Sequence, residues 1–268
     1  MRNSKLILSL VRRDFKTSKA SISIKFSIFF VIFSLLTMLT IYKVYDFQII
    51  NSKSIILELF KGCDFLQFSG KVVVSGFQFP FSWLLINTFI IYALGDYFYK
   101  DIKENGKYLL IRVKKMKLIY IAKIIWSITM INFYYCILII IAGVLGALFS
   151  NGSYEYMNPN YLKISTFNLI GYIFVLYTLT TISLVIFFIT LTMKVKPVYS
   201  FLIVVVLYTS SLFVDSKLFI GQHSLLIRHV PFNYIHNFTL VDSIIFNLVF
   251  SILFFFVGAI LSSKKEVF

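Results

Sequence analysis

The chain has 268 residues, of which 59% are hydrophobic and 14% charged, and its mean hydropathy is +0.87. Soluble domains average about 25% charged residues, so this composition excludes a water-soluble protein, and its high hydrophobicity excludes a disordered one. An integral membrane protein remains, without a disulfide framework because there are two cysteines, and with a formal net charge of +15 to be accounted for.

The N-terminal sequence SKLILSLVRRDFKT (residues 4–17) places apolar side chains at helical spacing between basic ones. It predicts a basic amphipathic helix within residues 1–25 that lies on the inner leaflet. Two interpretations stay open: a connector that packs on a cytoplasmic partner, or an orientation anchor attracted by anionic lipids. No cleavable signal peptide is expected, because the next apolar run has span length and no small-residue cleavage site.

Six apolar stretches are long enough for membrane spans, since a helix that crosses the hydrocarbon core needs about 20 residues. Continuous runs of this length favour helices over the alternating segments of a barrel. The fold class is therefore an all-α polytopic membrane protein with a single transmembrane domain. The six stretches are residues 26–45, 81–99, 118–149, 167–193, 198–214 and 243–261.

The segment between the first two spans, residues 46–80, is expected to lie outside. Ile55, Ile56, Leu59 and Phe60 suit one face of an interfacial helix, and residues 71–75 suit a short strand between two glycines. Nothing in this segment indicates a function.

Residues 100–117, KDIKENGKYLLIRVKKMK, form a strongly basic stretch between the second and third spans. A helix is expected up to Asn105-Gly106, which would break it, and a second short helix after the glycine. The apolar residues Tyr108, Leu109, Leu110 and Val113 favour contact with a partner surface, although a solvated positive-inside loop stays an alternative.

Residues 215–242, between the last two spans, are too apolar to be fully solvated. They predict short helices that dip into the outer leaflet, which requires protein to shield their backbone groups. Pro231 would begin or break one of these helices.

The Lys and Arg residues divide by side when they are counted along the chain. With the N-terminus inside, 19 lie inside and 7 outside, while the acids divide 5 to 6. The inner side then carries a formal charge of +14 and the outer side +1, which favours both termini in the cytoplasm. A distribution set by membrane side also argues against nucleic-acid binding.

Catalytic and metal-binding motifs are not evident, and the chain is not expected to be an enzyme. His223, His229 and His236 are six and seven residues apart, which differs from the i, i+4 pair of a metalloprotease. They are read as ordinary polar loop residues, with zinc as a minor alternative.

Uncharged polar residues occur within or near the spans, at Asn87, Asn132, Asn168 and Asn247. Hydrogen bonds between helices are the main interpretation, and the lining of a transport path is an alternative. Gly143 and Gly146 indicate close helix packing. No charged residue lies near a bilayer centre, which argues against an ion-coupled carrier.

The order of these parts resembles the permease subunits of type-2 ABC exporters. The stretch Glu104-Asn105-Gly106-Lys107-Tyr108-Leu109-Leu110-Ile111-Arg112-Val113, followed by Leu118-Ile119-Tyr120-Ile121-Ala122-Lys123, looks like that family's cytoplasmic loop. Val113 departs from it, since the family often has proline there. Val230-Pro231-Phe232-Asn233-Tyr234 before a last span and a basic end is also similar.

The resemblance implies roles for three groups of residues. The loop would be a coupling helix seated in an ATP-binding subunit, the N-terminal helix a connector beside it, and the apolar segment before the last span an external gate of short re-entrant helices. The coupling residues would be Asp101, Glu104, Gly106, Tyr108, Leu109, Leu110 and Arg112, the connector residues Leu6, Leu10, Arg12, Arg13 and Phe15, and the gate residues Pro231, Phe232 and Tyr234.

The resemblance further implies partners and cargo. Two ATP-binding subunits would hold ATP and Mg²⁺, so no cofactor is expected on this chain. A second permease chain, identical or different, and membrane lipid would complete the assembly in a bacterial cell membrane. The cargo would be amphipathic or hydrophobic, such as an antimicrobial or toxin-like peptide, a drug or a lipid. A non-pumping membrane immunity or sensor component associated with an ATPase is the alternative function.

Overall fold

The computed structural model describes residues 2–45, 51–63, 79–113, 115–150, 164–214, 216–232 and 238–264. These residues are mainly helical, as expected of an all-α polytopic membrane protein. The α-helices among them are α1 (Arg2–Tyr45), α2 (Ser52–Phe60), α3 (Phe81–Val113), α4 (Met116–Leu148), α5 (Thr166–Thr192), α6 (Pro197–Thr209) and α7 (Leu240–Lys264).

Five helices of the described residues, α1, α3, α4, α5 and α7, are long and apolar enough to cross a membrane. They coincide with five of the six predicted spans. The predicted span at 198–214 corresponds to α6 and the 3₁₀ helix Ser210–Leu212, which together are shorter than a full span. The chain is therefore a multi-pass membrane protein by the length and composition of its helices.

Two helices are longer than the sequence predicts. α1 has 44 residues without interruption, so the predicted amphipathic segment and the first span are one helix. The break predicted at Asn105-Gly106 is wrong, because α3 continues to Val113. Within this helix the Asn105 side-chain amide donates to Asp101 Oδ1 at 3.0 Å, which holds the turn in helical geometry.

The predicted helix around residues 55–60 is confirmed as α2. Asn51 caps it, since its side chain accepts from the Lys53 amide at 3.3 Å while Ser54 Oγ accepts from the Asn51 amide at 3.2 Å. Ile55, Ile56, Leu59 and Phe60 are all buried, so α2 packs within the protein rather than lying at a lipid interface. The strand predicted at 71–75 lies outside the described residues.

Close helix packing is confirmed at Gly146 but not at Gly143. A Cβ on Gly146 would lie 3.1 Å from the Ser52 Cα of α2, whereas a Cβ on Gly143 would meet nothing within 4 Å. Two further glycines permit close approaches: a Cβ on Gly95 would lie 2.2 Å from the Phe188 ring, and one on Gly258 would lie 2.1 Å from Tyr120 Oη.

The short helices predicted between the last two spans are present as the 3₁₀ helices Ile220–Ser224 and Leu226–Arg228. They pack onto the bundle, and the Ile227 amide donates to the Lys61 carbonyl at the end of α2. This places both segments at the same end of the bundle as the start of α7. The opposite end, where α1 begins, α3 meets α4 and α5 leads to α6, is called the basic end below.

Candidate functional site

Four charged side chains from three helices meet at the basic end, and they are called the ion cluster: Arg13 and Asp14 of α1, Asp101 of α3 and Lys123 of α4. Lys123 Nζ lies 3.0 Å from Asp14 Oδ1 and 2.6 Å from Asp101 Oδ2. Arg13 pairs with Asp101 and, at 3.2 Å, with Asp14. The Lys123 side chain is 0% exposed and each Asp side chain 2% exposed, so these three groups are desolvated, whereas the Arg13 side chain is 25% exposed.

Aromatic and polar side chains surround the ion cluster. Lys123 Nζ lies 4.4 Å from the centroid of the Tyr97 ring, a cation–π contact. The Tyr97 hydroxyl lies 2.7 Å from Thr17 Oγ1 on α1. Two acids matched by two bases, with further hydrogen bonds, compensate the cost of burying charge. The ion cluster therefore ties α1, α3 and α4 together and offers no open catalytic group.

The residues predicted to couple to a partner lie on two opposite faces of α3. Asp101, Gly106 and Leu109 are buried against the bundle, and Leu110 is half-buried. Glu104, Tyr108 and Arg112 are exposed on the other face, at helical spacing. Asp101 therefore presents no carboxylate to a second protein, since its oxygens are bonded to Arg13, Asn105 and Lys123.

One exposed residue of this segment was missed by the sequence reasoning. Ile111 is 73% exposed, beside Tyr108 at 71%. The face made of Glu104, Tyr108, Ile111 and Arg112 is called the distal face below. α4 begins three residues after α3 ends, so the distal face lies near the tip of a helical hairpin.

The predicted connector residues are likewise divided by burial. Leu10 is buried and Leu6 half-buried, whereas Arg12 and Phe15 are exposed. Arg13 belongs to the ion cluster. The N-terminal part of α1 thus packs along the bundle through one face and leaves the other uncovered.

A small apolar cleft of about 250 Å³ opens at the basic end beside α3. It is smaller than typical small-molecule pockets, which occupy about 300–1,000 Å³. A transport path for a peptide or lipid cannot run through this cleft alone. Its lining consists of Phe98, Tyr99, Ile102, Lys103, Met116, Thr192, Met193 and Ser262.

A neutral network joins three helices deeper in the bundle, and it is called the amide network. Asn87 Oδ1 of α3 accepts from Tyr135 Oη of α4 at 2.9 Å and from Thr181 Oγ1 of α5 at 3.0 Å. This confirms the interhelical hydrogen bonding expected of Asn87. Asn132 instead donates within its own helix, to the Ile128 carbonyl at 2.8 Å.

Two of the histidines that the sequence suggests are ordinary polar loop residues are buried. His223 and His229 are 1% and 0% exposed, and both contact Ser243 at the start of α7. His236 lies outside the described residues, in which no group of three or more His, Cys, Asp or Glu side chains is placed to hold a metal ion.

The predicted gate residues have a mixed outcome. Phe232 is buried and packs edge-on against Tyr172 of α5, with ring centroids 6.2 Å apart. Pro231 is half-buried, and Tyr234 lies outside the described residues.

No protein-family model, curated protein or solved structure matches the chain. The function proposed below therefore rests on the geometry of these sites.

Proposed function

We propose that the chain is the membrane-spanning permease subunit of an ATP-driven ABC exporter. The observation that supports this most is the helical hairpin of α3 and α4, which carries an uncovered distal face and is fastened at its base by the ion cluster. A pump driven by a separate ATPase needs such a part: a stiff projection that transmits force from a partner to the transmembrane helices.

The length of α3 favours a projection beyond the membrane. Its 33 residues extend about 50 Å at 1.5 Å per residue, whereas the hydrocarbon core is about 30 Å thick. If Phe81 lies at one boundary, the helix leaves the core near Lys100, and the remaining turns enter water. The ion cluster lies at this exit point and prevents the projecting turns from swinging freely.

The distal face has the chemistry of a docking surface. Tyr108 and Ile111 are large and more than 70% exposed, on a segment that would otherwise be solvated. Aromatic and arginine side chains supply much of the energy of protein interfaces, and here Tyr108 and Arg112 lie one helical turn apart. Glu104, one turn before Tyr108, adds an acceptor for a basic group of the ATPase.

The basic end carries the charge expected of a cytoplasmic side. Residues 1–25 and 100–123 hold 15 of the 26 basic residues, and both segments meet at the ion cluster. We therefore assign both termini and the distal face to the cytoplasm, in a bacterial cell membrane whose anionic lipids would also attract this end.

The assembly that follows contains two permease chains and two ATPase subunits, with ATP and Mg²⁺ held by the ATPases. α7 is the least enclosed of the five long helices, with 17% of its most apolar stretch buried against 78% for α5. Its uncovered side suits lipid, a second chain or an apolar cargo. An amphipathic or hydrophobic cargo would fit the aliphatic and aromatic surfaces available between two chains.

The decisive experiment isolates the affinity-tagged chain from its native membrane and measures the ATPase that copurifies. Ile111→Asp should lower the copurified ATPase at least about tenfold, because a charge would be buried in the interface without a partner. Phe167→Asp is the matched control, since Phe167 is 83% exposed at the opposite end of the bundle and should leave copurification unchanged.

Two outcomes contradict the proposal. Wild-type chain without any copurifying ATPase would contradict both the exporter and its ATPase-associated alternative, and equal copurification with Ile111→Asp would remove the distal face from the interface. Leu109→Asp is a poorer probe, because Leu109 is 7% exposed and its replacement would disturb the hairpin itself.

A further inference from the structure

Two buried imidazoles converge on one hydroxyl oxygen at the end opposite the basic end. His223 Nδ1 lies 2.9 Å from Ser243 Oγ, and His229 Nε2 lies 3.0 Å from the same oxygen. All three residues are at most 1% exposed. The contacts fasten the 3₁₀ helices Ile220–Ser224 and Leu226–Arg228 to the first turn of α7.

The outer nitrogen of each imidazole faces a backbone carbonyl. His223 Nε2 lies 2.9 Å from the Lys217 carbonyl oxygen, and His229 Nδ1 lies 3.1 Å from the Leu225 carbonyl oxygen. A carbonyl can only accept, so each outer nitrogen must carry the hydrogen. A neutral imidazole has one N–H, which leaves a bare lone pair on each nitrogen that faces Ser243.

The chain of contacts therefore needs more hydrogens than neutral groups provide. Two imidazole nitrogens with lone pairs face Ser243 Oγ, but the hydroxyl has one hydrogen and can donate to one of them. Four contacts need four hydrogens, and two neutral histidines and one serine supply three. At 2.9–3.0 Å, an imidazole nitrogen and Ser243 Oγ with no hydrogen between them would repel each other through their lone pairs. All four contacts are hydrogen bonds when one of the two histidines is an imidazolium.

We propose that His223, Ser243 and His229 form a binding site for one extra proton, which both histidines share through the serine oxygen. Uptake of this proton completes the four-contact arrangement and holds the 3₁₀ helices against α7. Release of the proton leaves one contact unbridged and loosens that attachment. A second proton is not accepted, because it would place two positive charges around one oxygen.

The surroundings set how strongly the proton is held. Burial lowers the pKa of both histidines, His223 and His229, to about 4, even though the outer carbonyl hydrogen bonds and the Asp242 carboxylate raise it. Lys217 Nζ pairs with Asp242 at 2.9 Å, which weakens the effect of that carboxylate on the pKa of the histidines. Arg228 donates to the Ser211 carbonyl. The completed hydrogen-bond chain acts in the same direction as Asp242, since hydrogen bonds to an imidazolium favour the charged form. The titratable and charged groups on the elements packed here are Asp242 of α7, Lys217, Arg228, Tyr172 and Tyr177 of α5, and Tyr208 of α6.

A metal ion is a less suitable occupant of the site. Zinc binds imidazole nitrogen at about 2.0–2.1 Å, whereas both nitrogens lie at hydrogen-bond distance from an oxygen between them. The same convergence of lone pairs would nevertheless attract a cation, so the test includes zinc.

The test is a pH titration of the full chain in lipid nanodiscs by ¹⁵N and ¹³C NMR of labelled histidine. The chain has three histidines, and His236→Gln leaves the two of interest. From about pH 8 down to about pH 4, one imidazolium should form per chain, because the hydrogen bonds through Ser243 hold the shared proton above the pKa of about 4 that burial and the other neighbours set. Above that transition His223 should be the Nε2–H tautomer and His229 the less common Nδ1–H tautomer.

Substitutions at Ser243 separate the shared proton from ordinary burial. Ser243→Ala should lower the proton affinity of the pair at least about tenfold, the loss expected for one charge-assisted hydrogen bond. Ser243→Thr keeps the hydroxyl and should restore the single transition, which controls for a general effect on folding.

The proposal is overturned by any of four results. These are no imidazolium in the wild type above about pH 4, independent protonation of both histidines, an unchanged titration in Ser243→Ala, or binding of one Zn²⁺ per chain with release of the proton near neutral pH. None of these results bears on the ATPase partner, so the two proposals fail separately.

Discussion

The ion cluster and the amide network both hold helices of the bundle together, but they do so with different chemistry. Each joins three helices, and both use α3 and α4. Lys123 and Tyr135 are 12 residues apart on α4, so the two sites are separated by about 18 Å along that helix. One site contains four formal charges and the other contains none.

The difference follows from the cost of desolvation. Near the middle of an apolar bundle a charge is expensive, and hydroxyl and amide groups connect helices without that cost. At the basic end, where the helices approach water, charges can be gathered and matched. The ion cluster then fixes the direction in which the hairpin projects, and the amide network holds the helices inside the bundle.

The largest effect is expected from breaking the ion cluster. Lys123→Met leaves Asp14 and Asp101 buried beside each other without their shared base, which should lower the free energy of unfolding by about 3–5 kcal/mol. Thermal unfolding in detergent, followed by circular dichroism, measures the change. Lys103→Met removes an exposed lysine of α3 at the same end of the bundle and should have almost no effect. Equal losses in the two variants would show that the ion cluster is not a stabilising unit.

A smaller effect is expected from breaking the amide network. Asn87→Leu removes the acceptor of Tyr135 and Thr181, and interhelical hydrogen bonds in membrane proteins average about 0.6 kcal/mol each, with a maximum of about 1.7. The same unfolding measurement should therefore show a loss of about 1–2 kcal/mol. Asn132→Leu, which affects a hydrogen bond within one helix, is the control, and a larger loss there would contradict this ranking.

The smallest effect is expected from an ion pair that is exposed to water, which can be compared with the ion cluster. Lys217 and Asp242 lie 2.9 Å apart with side chains 53% and 40% exposed. Lys217→Met should cost about 0–1 kcal/mol, and high salt should abolish the cost. The loss in Lys123→Met should persist in high salt, because Lys123, Asp14 and Asp101 are desolvated. A loss that is equally sensitive to salt in both variants would mean that water reaches Lys123.

The spans could be predicted because length and hydropathy alone decide them. α6 is the exception, because composition does not show where another segment of the chain approaches a helix. The apolar run continues to residue 214, but the helix ends at Thr209, where another part of the chain approaches it. A Cβ on Gly221 would lie 2.4 Å from the Tyr208 carbonyl oxygen, so the backbones of two segments meet at this point.

The sequence contains weak signals of the ion cluster, in the positions of its charged residues along the predicted helices. Asp14 and Ser18 follow Leu10 and Val11 at helical spacing, so an acid lies on the buried face of α1. Lys123 lies within an otherwise apolar run, near the start of the third predicted span. Their pairing could not be derived, because Asp14 and Lys123 are 109 residues apart and the contact depends on how three helices pack.

The continuity of α4 has a mechanical consequence. α4 runs unbroken from Met116, beside the hairpin tip, to Leu148, and near its far end Gly146 lies directly against the backbone of α2. About 45 Å separates Met116 from Gly146 along the helix. If an ATPase binds the hairpin tip as we propose, the unbroken helix would transmit a displacement of the tip to α2 at the other end of the bundle. A bulkier residue at position 146 would then alter this transmission where α4 meets α2, while leaving the proposed ATPase-binding face unchanged.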